Sequence, residues 1–519
     1  MFKAHKEIKT YREIERTNPP DPLGREVLKL LAALGLLGAG VYFLAYGLNR
    51  IPGLVPPPRF VDVKTMNLTS RETCGELPKD GLPVTISMLY SEDKREWMEY
   101  AADRFARVCP NIQVKLSGMG TIQGAEAILN GRVAPTLWAP ADELVLSYLA
   151  HRWKERSSEV LFDIDAQLSI AISPLVVLMW EDRLRVIEET AARGGIDEGP
   201  WMATMCALVP RDPGPEEIAI EDMVPGRWID WYGPLVQQPK PRPGPAARRP
   251  AKPKPTYQQA FPTLEEIQRW GRVKIGHASP RRSAAGLQAL YLMAYDYVLP
   301  PGERVAPEGQ DEDSAGNARS VEGGGWIMGG EPFREAFADA FAARKDALQR
   351  WLTRCEAGLE APPENSGALT DMMFHVGTAR YDGIVTHEQL VFEVLERIDD
   401  HEGAMRNVRL LYPQPTLVNQ HPVVFLWPED PFRAPLLDAA QRWVGFLRSQ
   451  EMQLKAIEYG FRPANPEVSI EAFDEPTNPF LHLQRYGVST EVVIEEPPRV
   501  DGEIVGELIK IWEDASGRN

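Results

Sequence analysis

Val84-Thr85-Ile86-Ser87-Met88-Leu89-Tyr90-Ser91-Glu92-Asp93 is the stretch on which the fold turns. Val84, Ile86 and Met88 alternate with Thr85 and Ser87, the two-residue period of a strand with one face packed. Ser91 then opens a helix as its N-cap, with Glu92 and Asp93 in the first turn, where negative charge suits the helix dipole. Trp97, Ala101, Phe105 and Val108 continue it at helical spacing, and Pro110 stops it. The cycle repeats with a strand Ile112–Leu116, a glycine turn Gly118–Thr121, a helix around Ala125–Leu129 and a strand Thr136–Trp138. Strands alternating with short helices predict parallel pairing and an open α/β sheet.

Further along, Ser173-Pro174-Leu175-Val176-Val177-Leu178-Met179-Trp180 is an apolar run too short for a membrane and reads as a buried strand. Two stretches interrupt the rhythm and read as surface insertions: Pro234–Pro255, rich in Pro, Lys and Arg, and Pro300–Gly330, rich in Gly, Glu and Asp. Regular elements return as a strand Val273–Ile275, a helix from Ser283, a long helix from about Phe333 to Cys355 and a strand Gly383–Thr386. Leu436–Leu447 and Met452–Tyr459 read as helices, the second ended by Gly460.

At the other end, Leu30–Leu48 carries no charge and approaches the roughly 20 apolar residues that span a bilayer. Seven basic residues precede it, from Lys3 to Lys29, and only Arg50 follows closely, so the positive-inside bias places the N-terminus in the cytoplasm. The expected order is a cytoplasmic tail 1–29, a single-pass anchor in the cell membrane 30–48, a spacer 49–83 and a periplasmic or extracellular module. The chain of 519 residues, with net charge −17, is too long for one compact domain, and its acidity argues against nucleic acid. Cys74, Cys109, Cys206 and Cys355 lack CxxC spacing; an oxidising compartment permits disulfides, and three full pairings remain open.

The chemistry concentrates in Lys274-Ile275-Gly276-His277-Ala278-Ser279-Pro280-Arg281-Arg282-Ser283 and the helix that follows. Ser283 falls at the N-cap, and Arg281 and Arg282 stand against an already positive helix end, a conflict that a bound anion would resolve. Solvated arginines beside an ordinary cap are an equally good reading. Ser91 alone is more readily a cap than a ligand contact, and Gly118–Thr121 is a weak signal for close backbone approach. Thr386-His387-Glu388-Gln389 matches a capping box in which Thr386 and Gln389 satisfy each other's backbone donors. Position gives the set its force, because ligands collect at the carboxyl ends of strands in an open α/β sheet. No GxSxG, HExxH or GxxxxGK[ST] motif is present, and His277, His387, Glu388 and His421 lack metal-ligand spacing. The expectation is a non-enzyme with no cofactor and no metal.

Several motifs together resemble the type II periplasmic solute-binding proteins, in particular the bacterial extracellular solute-binding domain often fused to a von Willebrand factor A domain. They are Gly118-Met119-Gly120, Glu126–Leu129, Pro135-Thr136-Leu137-Trp138-Ala139-Pro140-Ala141, Ser173–Val176, Gly276-His277 with Pro280-Arg281-Arg282-Ser283, and Tyr459-Gly460-Phe461-Arg462-Pro463-Ala464-Asn465-Pro466. The turn after Gly120 departs from the pattern, reading Thr-Ile-Gln-Gly where relatives often have Ser-Gly-Glu. The resemblance implies two α/β lobes, with 84–172 and 428–519 in the first and 173–427 in the second. It also implies crossings at Ser173–Trp180 and His421–Trp427, ligand in the cleft and hinge closure. By motif position, related oxyanion receptors would place Ser91, Thr121, Ser283 and Thr386 on the ligand, joined by Gly120, Ala139, Ser173, Arg282 and His387. The implied function is a membrane-tethered receptor that captures a small solute or oxyanion for an ABC transporter permease or a signalling partner. The alternative is an envelope interaction or assembly module that reuses the fold without transport.

Overall fold

β1 (Val84–Ser91) buries Ile86 and Met88 on the face expected from their alternation. A 3-10 turn, Glu92–Lys94, precedes α1 (Arg95–Val108), which buries Trp97, Met98, Ala101 and Phe105. Next come β2 (Ile112–Met119), α2 (Thr121–Leu129), β3 (Leu137–Ala139) and α3 (Glu143–Lys154). β4 (Leu168–Ser169), β5 (Ala171–Trp180), α4 (Glu181–Ala192), α5 (Trp228–Val236), α6 (Leu264–Trp270), β6 (Ile275–Gly276) and α7 (Ala284–Val298) follow. Then β7 (Ser320–Val321), β8 (Gly325–Ile327), α8 (Glu331–Ala357), α9 (Ser366–Val376), β9 (Gly383–His387) and α10 (Glu388–Asp399). The chain ends through β10 (Val408–Leu411), β11 (Val418–Asn419), β12 (Pro422–Phe425), α11 (Ala434–Leu447), α12 (Gln450–Glu458), β13 (Arg462–Pro463), α13 (Pro479–His482), β14 (Ile494–Glu496) and α14 (Gly502–Ser516).

This computed structural model describes residues 83–192, 226–236, 261–300, 320–321, 325–327, 331–357, 361–399, 407–428, 430, 433–472, 477–492 and 494–517. All of them belong to one unit, Asn67–Asn519. The expected tail, the anchor Leu30–Leu48, the spacer up to 82 and most of both insertions lie outside the described residues. Among the described residues, no helix is long and apolar enough to cross a membrane.

The fold is mixed α/β with two main sheets. The first has strand order β2-β1-β3-β12-β4 and the second β10-β5-β9-β6, with β11 and β13 also pairing β5. β1 is parallel to β2 and β3, and β6 to β9. The expectation of parallel pairing throughout needs correction, because β12 runs antiparallel to β3 and β5 antiparallel to β9 and β10. The chain passes from the first sheet to the second between Ser169 and Ala171, and returns between Asn419 and Pro422. Ser173–Trp180 therefore lies inside the second sheet, beyond the passage. β13 adds a further tie, with Arg462 opposite Ile172.

The Pro300–Gly330 stretch is not wholly a surface insertion. β7 and β8 form a three-stranded sheet with β14, whose Ile494–Glu496 runs parallel to Gly325–Ile327. At Pro234, the first insertion begins inside α5.

One hydrophobic core joins Leu89, Trp138 and Leu149 of the first sheet's side to Leu175, Leu287 and Tyr291 of the second. α14 contributes Leu508 and Trp512 and packs on both α3 and α8. Its start lies so close to α3 that a Cβ on Gly502 would collide with the Ser147 carbonyl. Burial at about 25 cal/mol per Å² makes such a shared core a strong tie between the two halves.

Candidate functional site

The carboxyl ends of β1, β2, β6 and β9 open onto one cleft of about 440 Å³. From the first sheet come Ser91–Trp97, Gly120 and Thr121; from the second come Arg282–Ala284, His387 and Gln389. Asn365–Gly367 at the start of α9, Glu393 and Glu396 of α10, and Glu458–Phe461 at the end of α12 also line it. Thr121, Ala284 and Ser366 are the first residues of α2, α7 and α9, so three helix N-termini of nine residues or more meet there. Free N–H groups and the helix dipole at such ends favour negative charge.

A buried polar cluster forms the cleft floor. Lys94, 1% exposed, donates to Ser91 Oγ and, at 3.3 Å, to Pro140 O, while its Nζ lies 3.3 Å from His421 Nδ1 and 3.9 Å from Asp93. Burial lowers the Lys94 pKa to about 8 against the opposing pull of Asp93. For Asp93, burial works to raise the pKa, but Lys94, His421 and Ser91 outweigh it and hold the carboxyl below its usual value. Because the ammonium faces His421 Nδ1, that nitrogen accepts, and His421 stays neutral, its pKa driven well down by burial and Lys94. His421 takes φ of +40°, a conformation an L-residue holds only when its surroundings enforce it.

His387 is also buried and neutral, its pKa lowered to about 4 by burial. Its Nε2 lies 3.1 Å from Gln288 Oε1 and 2.8 Å from Asn419 Nδ2. Gln288 Nε2 in turn donates to Asp142 and, at 2.5 Å, to Asn419 Oδ1. The chain links α7, β9, β11 and the N-cap of α3 behind the cleft.

Of the nine residues expected on the ligand, Ser91, Gly120, Thr121, Arg282, Ser283 and His387 line the cleft, and Ala139, Ser173 and Thr386 do not. Ala139 sits in the apolar core beside α1 and α11. Ser173 donates to Gln389 Oε1, and Thr386 Oγ1 accepts from Thr370 at 3.4 Å. Three local readings are corrected. Thr386 and Gln389 form no capping box, because β9 runs on through His387 and draws Gln389 to Ser173. Ser283 and Ser91 hold N-cap positions without capping bonds: Ser283 Oγ lies 2.7 Å from Ser366 Oγ, and Ser91 Oγ accepts from Lys94. The arginine conflict is met by carboxylates, since Arg281 bonds Glu513 at 2.5 Å and Arg282 pairs with Glu364 at 2.7 Å.

Sequence reasoning missed Lys94, Ser366, Gln389 and Glu393. For Ser366 a signal existed: Asn365, following two prolines, caps α9 through Ala368 N at 2.8 Å. The others carry no local signal. Among the described residues, no group of three or more His, Cys, Asp or Glu side chains could hold a metal ion.

Neither a protein-family model nor a curated protein matches the chain. Solved structures do. The chain is similar to a periplasmic thiamin binding protein at 9% identity and TM-score 0.45, over 85% of this chain and 99% of that one. It is similar to the sulfate-binding protein SubI of Mycobacterium tuberculosis H37Rv at 12% and 0.37, over 79% and 94%. It is also similar to iron-bound HitA of Pseudomonas aeruginosa at 15% and 0.41, over 83% and 99%. None of these likenesses assigns a ligand to this chain.

Proposed function

We propose that this chain is a solute receptor of the type II periplasmic-binding-protein kind rather than an enzyme. It captures a small molecule in the cleft between its two sheets and presents it to an ABC-type transporter or a signalling partner. The observation that carries this reading is the convergence of three helix N-termini, from both sheets, on one cleft of about 440 Å³. The volume suits a small ligand, and backbone N–H groups with the Thr121, Ser283 and Ser366 hydroxyls would take its anionic or hydroxyl-bearing part.

The N-terminal apolar run Leu30–Leu48 would tether the receptor to the cell membrane with its N-terminus in the cytoplasm, keeping the cleft at high local concentration near a membrane partner. Cys109 and Cys355 are both disulfide-bonded, which suits an extracytoplasmic location.

Thermal-shift screening of the full chain in detergent with oxyanions, carboxylates and cationic solutes tests the reading. A ligand at 100 times its dissociation constant adds about 2.7 kcal/mol to stability, and Ser283→Ala combined with Ser366→Ala abolishes the shift. Absence of any shift, or a shift that survives this double substitution, removes the receptor assignment. Cleavage between Arg50 and Pro83 should release a module that still binds.

A further inference from the structure

One amide in the cleft wall is half-satisfied. Gln389 lines the cleft and is 3% exposed; its Oε1 accepts from the Ser173 hydroxyl, and its Nε2 has no hydrogen-bond partner among the described residues. Ser173 sets that orientation. It is fully buried in β5, and among the described residues Gln389 Oε1 is the acceptor its hydroxyl proton meets. Because Ser173 does not line the cleft, Oε1 is drawn away from it and the opposite end of the amide, Nε2, is left toward it. A buried N–H without an acceptor carries its full desolvation cost until a ligand supplies one.

The amide is also fixed from behind. Arg462 holds the preceding residue, Glu388, at 2.8 Å, and Gly460, at φ of +80°, comes so near that an added Cβ would lie 3.2 Å from Gln389 Cα. A donor already held in place loses little freedom when it binds. Further donors share the cleft with it. The starts of α2, α7 and α9 present backbone N–H groups, and Ser283 Oγ and Ser366 Oγ, 2.7 Å apart, use one proton between them and leave the other hydroxyl proton for a ligand. Several of the lining carboxylates are already matched by cations: Glu92 by Arg95 at 2.9 Å, Asp93 by Lys94 at 3.9 Å, and Glu458 by Lys455.

Building on the receptor reading, we propose that Gln389 is a specificity-determining residue of this cleft: its Nε2, positioned by Ser173, donates to an unprotonated anionic oxygen of the ligand, a carboxylate or an inorganic oxyanion. With Oε1 taken by Ser173, the amide has only donors to offer. A ligand that presents an ammonium or another N–H at this place meets donor against donor and is rejected. A charged oxygen there forms the stronger, charge-assisted kind of bond.

Isothermal titration of the full chain in detergent with sulfate, inorganic phosphate, citrate, choline and glucose tests this. At least one of the anions binds, sulfate or phosphate marking an inorganic oxyanion and citrate a carboxylate. Gln389→Met weakens that binding about ten- to a hundredfold, the worth of a hydrogen bond to a charged group. Ser173→Ala alone weakens it severalfold by freeing the amide, and adds nothing in the Gln389→Met background, a coupling that independent packing defects do not show. Unchanged melting by circular dichroism shows each variant folded; if Gln389→Met melts early, Gln389→Glu, which keeps the acceptor for Ser173, must weaken the anion as much. Undiminished anion binding in a folded Gln389 variant, additive losses from the two positions, or binding of choline or glucose with none of the anions overturns the inference and leaves the receptor reading standing. Binding of none of the five probes overturns both.

Discussion

Arg462 grips the Glu388 carboxylate with two hydrogen bonds of 2.8 Å each, from Nε to Oε2 and from Nη2 to Oε1. Tyr412 also donates to Oε1, and the Arg462 guanidinium reaches Ser489 O at 2.6 Å and Thr490 O at 2.9 Å. Burial alone would lower the arginine's pKa, but Glu388 outweighs it and raises it, while Tyr412 is pushed well above its usual value by burial and by Glu388. Arg462 therefore keeps its charge where it is buried. It fastens β13, which follows α12, to the first residue of α10, next to His387 at the cleft.

Breaking that pair should be costly. Arg462→Met leaves Glu388, fully buried, without its counter-charge, and about 3–5 kcal/mol of stability is expected to disappear. Urea denaturation measures it. Arg462→Met together with Glu388→Met removes the stranded charge and should recover part of the loss; a double variant weaker than the sum of the single variants contradicts the account.

The buried histidines at the cleft predict a response to acid. His387 titrates near 4 in the folded chain and near 6.5 when unfolded, and His421 is shifted the same way. The unfolded state therefore binds more protons across this interval, so stability is fully present above about 6.5 and is lost as pH falls toward 4. At about 1.4 kcal/mol per unit, His387 alone accounts for up to roughly 3 kcal/mol. Melting temperatures from pH 7.5 to 4.5 should fall less steeply in His387→Asn than in the wild type. Parallel slopes would assign the acid response to other groups.

How much of this was legible in the sequence follows the range of the interactions. The strand at Val84–Met88, the helix bearing Trp97 and Phe105, and the buried run before Trp180 come from two-residue or helical periodicity, which needs only near neighbours. Antiparallel β12 was not legible, because its direction is set where the chain crosses between sheets, more than 250 residues after β4 in numbering. The same limit applies at the site. Ser283 and Thr121 announce themselves at helix starts, whereas Lys94 matters through His421, far along the chain, and Gln389 through Ser173. The capping box at Thr386 shows a local pattern losing to a tertiary one: the hydrogen bond available across the sheet displaced the one available along the chain.

Glycines at two helix positions should respond oppositely to alanine. Gly286 lies in the first turn of α7, where an added Cβ would collide with the Ala278 carbonyl oxygen, a backbone atom in the loop that sets up Ser283. Gly286→Ala is expected to lose about 1–3 kcal/mol and, by moving that loop, to weaken binding in the cleft. Gly445 lies in α11 with nothing within 4 Å of the added carbon, so Gly445→Ala should gain about 0.5–1 kcal/mol through helix propensity alone. Matched denaturation curves compare the two, and a gain at Gly286 would contradict the close approach.

The cysteines link stability to compartment. Cys109, 0% exposed at the end of α1, and Cys355, 1% exposed in α8, are both disulfide-bonded, and no described cysteine is free. Protein purified from its native host and denatured with iodoacetamide but no reductant should carry no label at either position, whereas prior reduction should expose both. Because these sulfurs are buried, labelling after reduction should be slow under native conditions and fast in urea. Each bridge removed is expected to cost about 2–5 kcal/mol, read as a lower urea midpoint for the reduced chain. Labelling of Cys109 or Cys355 without reductant would instead indicate a reducing compartment, and with it the loss of the argument that places the cleft outside the cytoplasm.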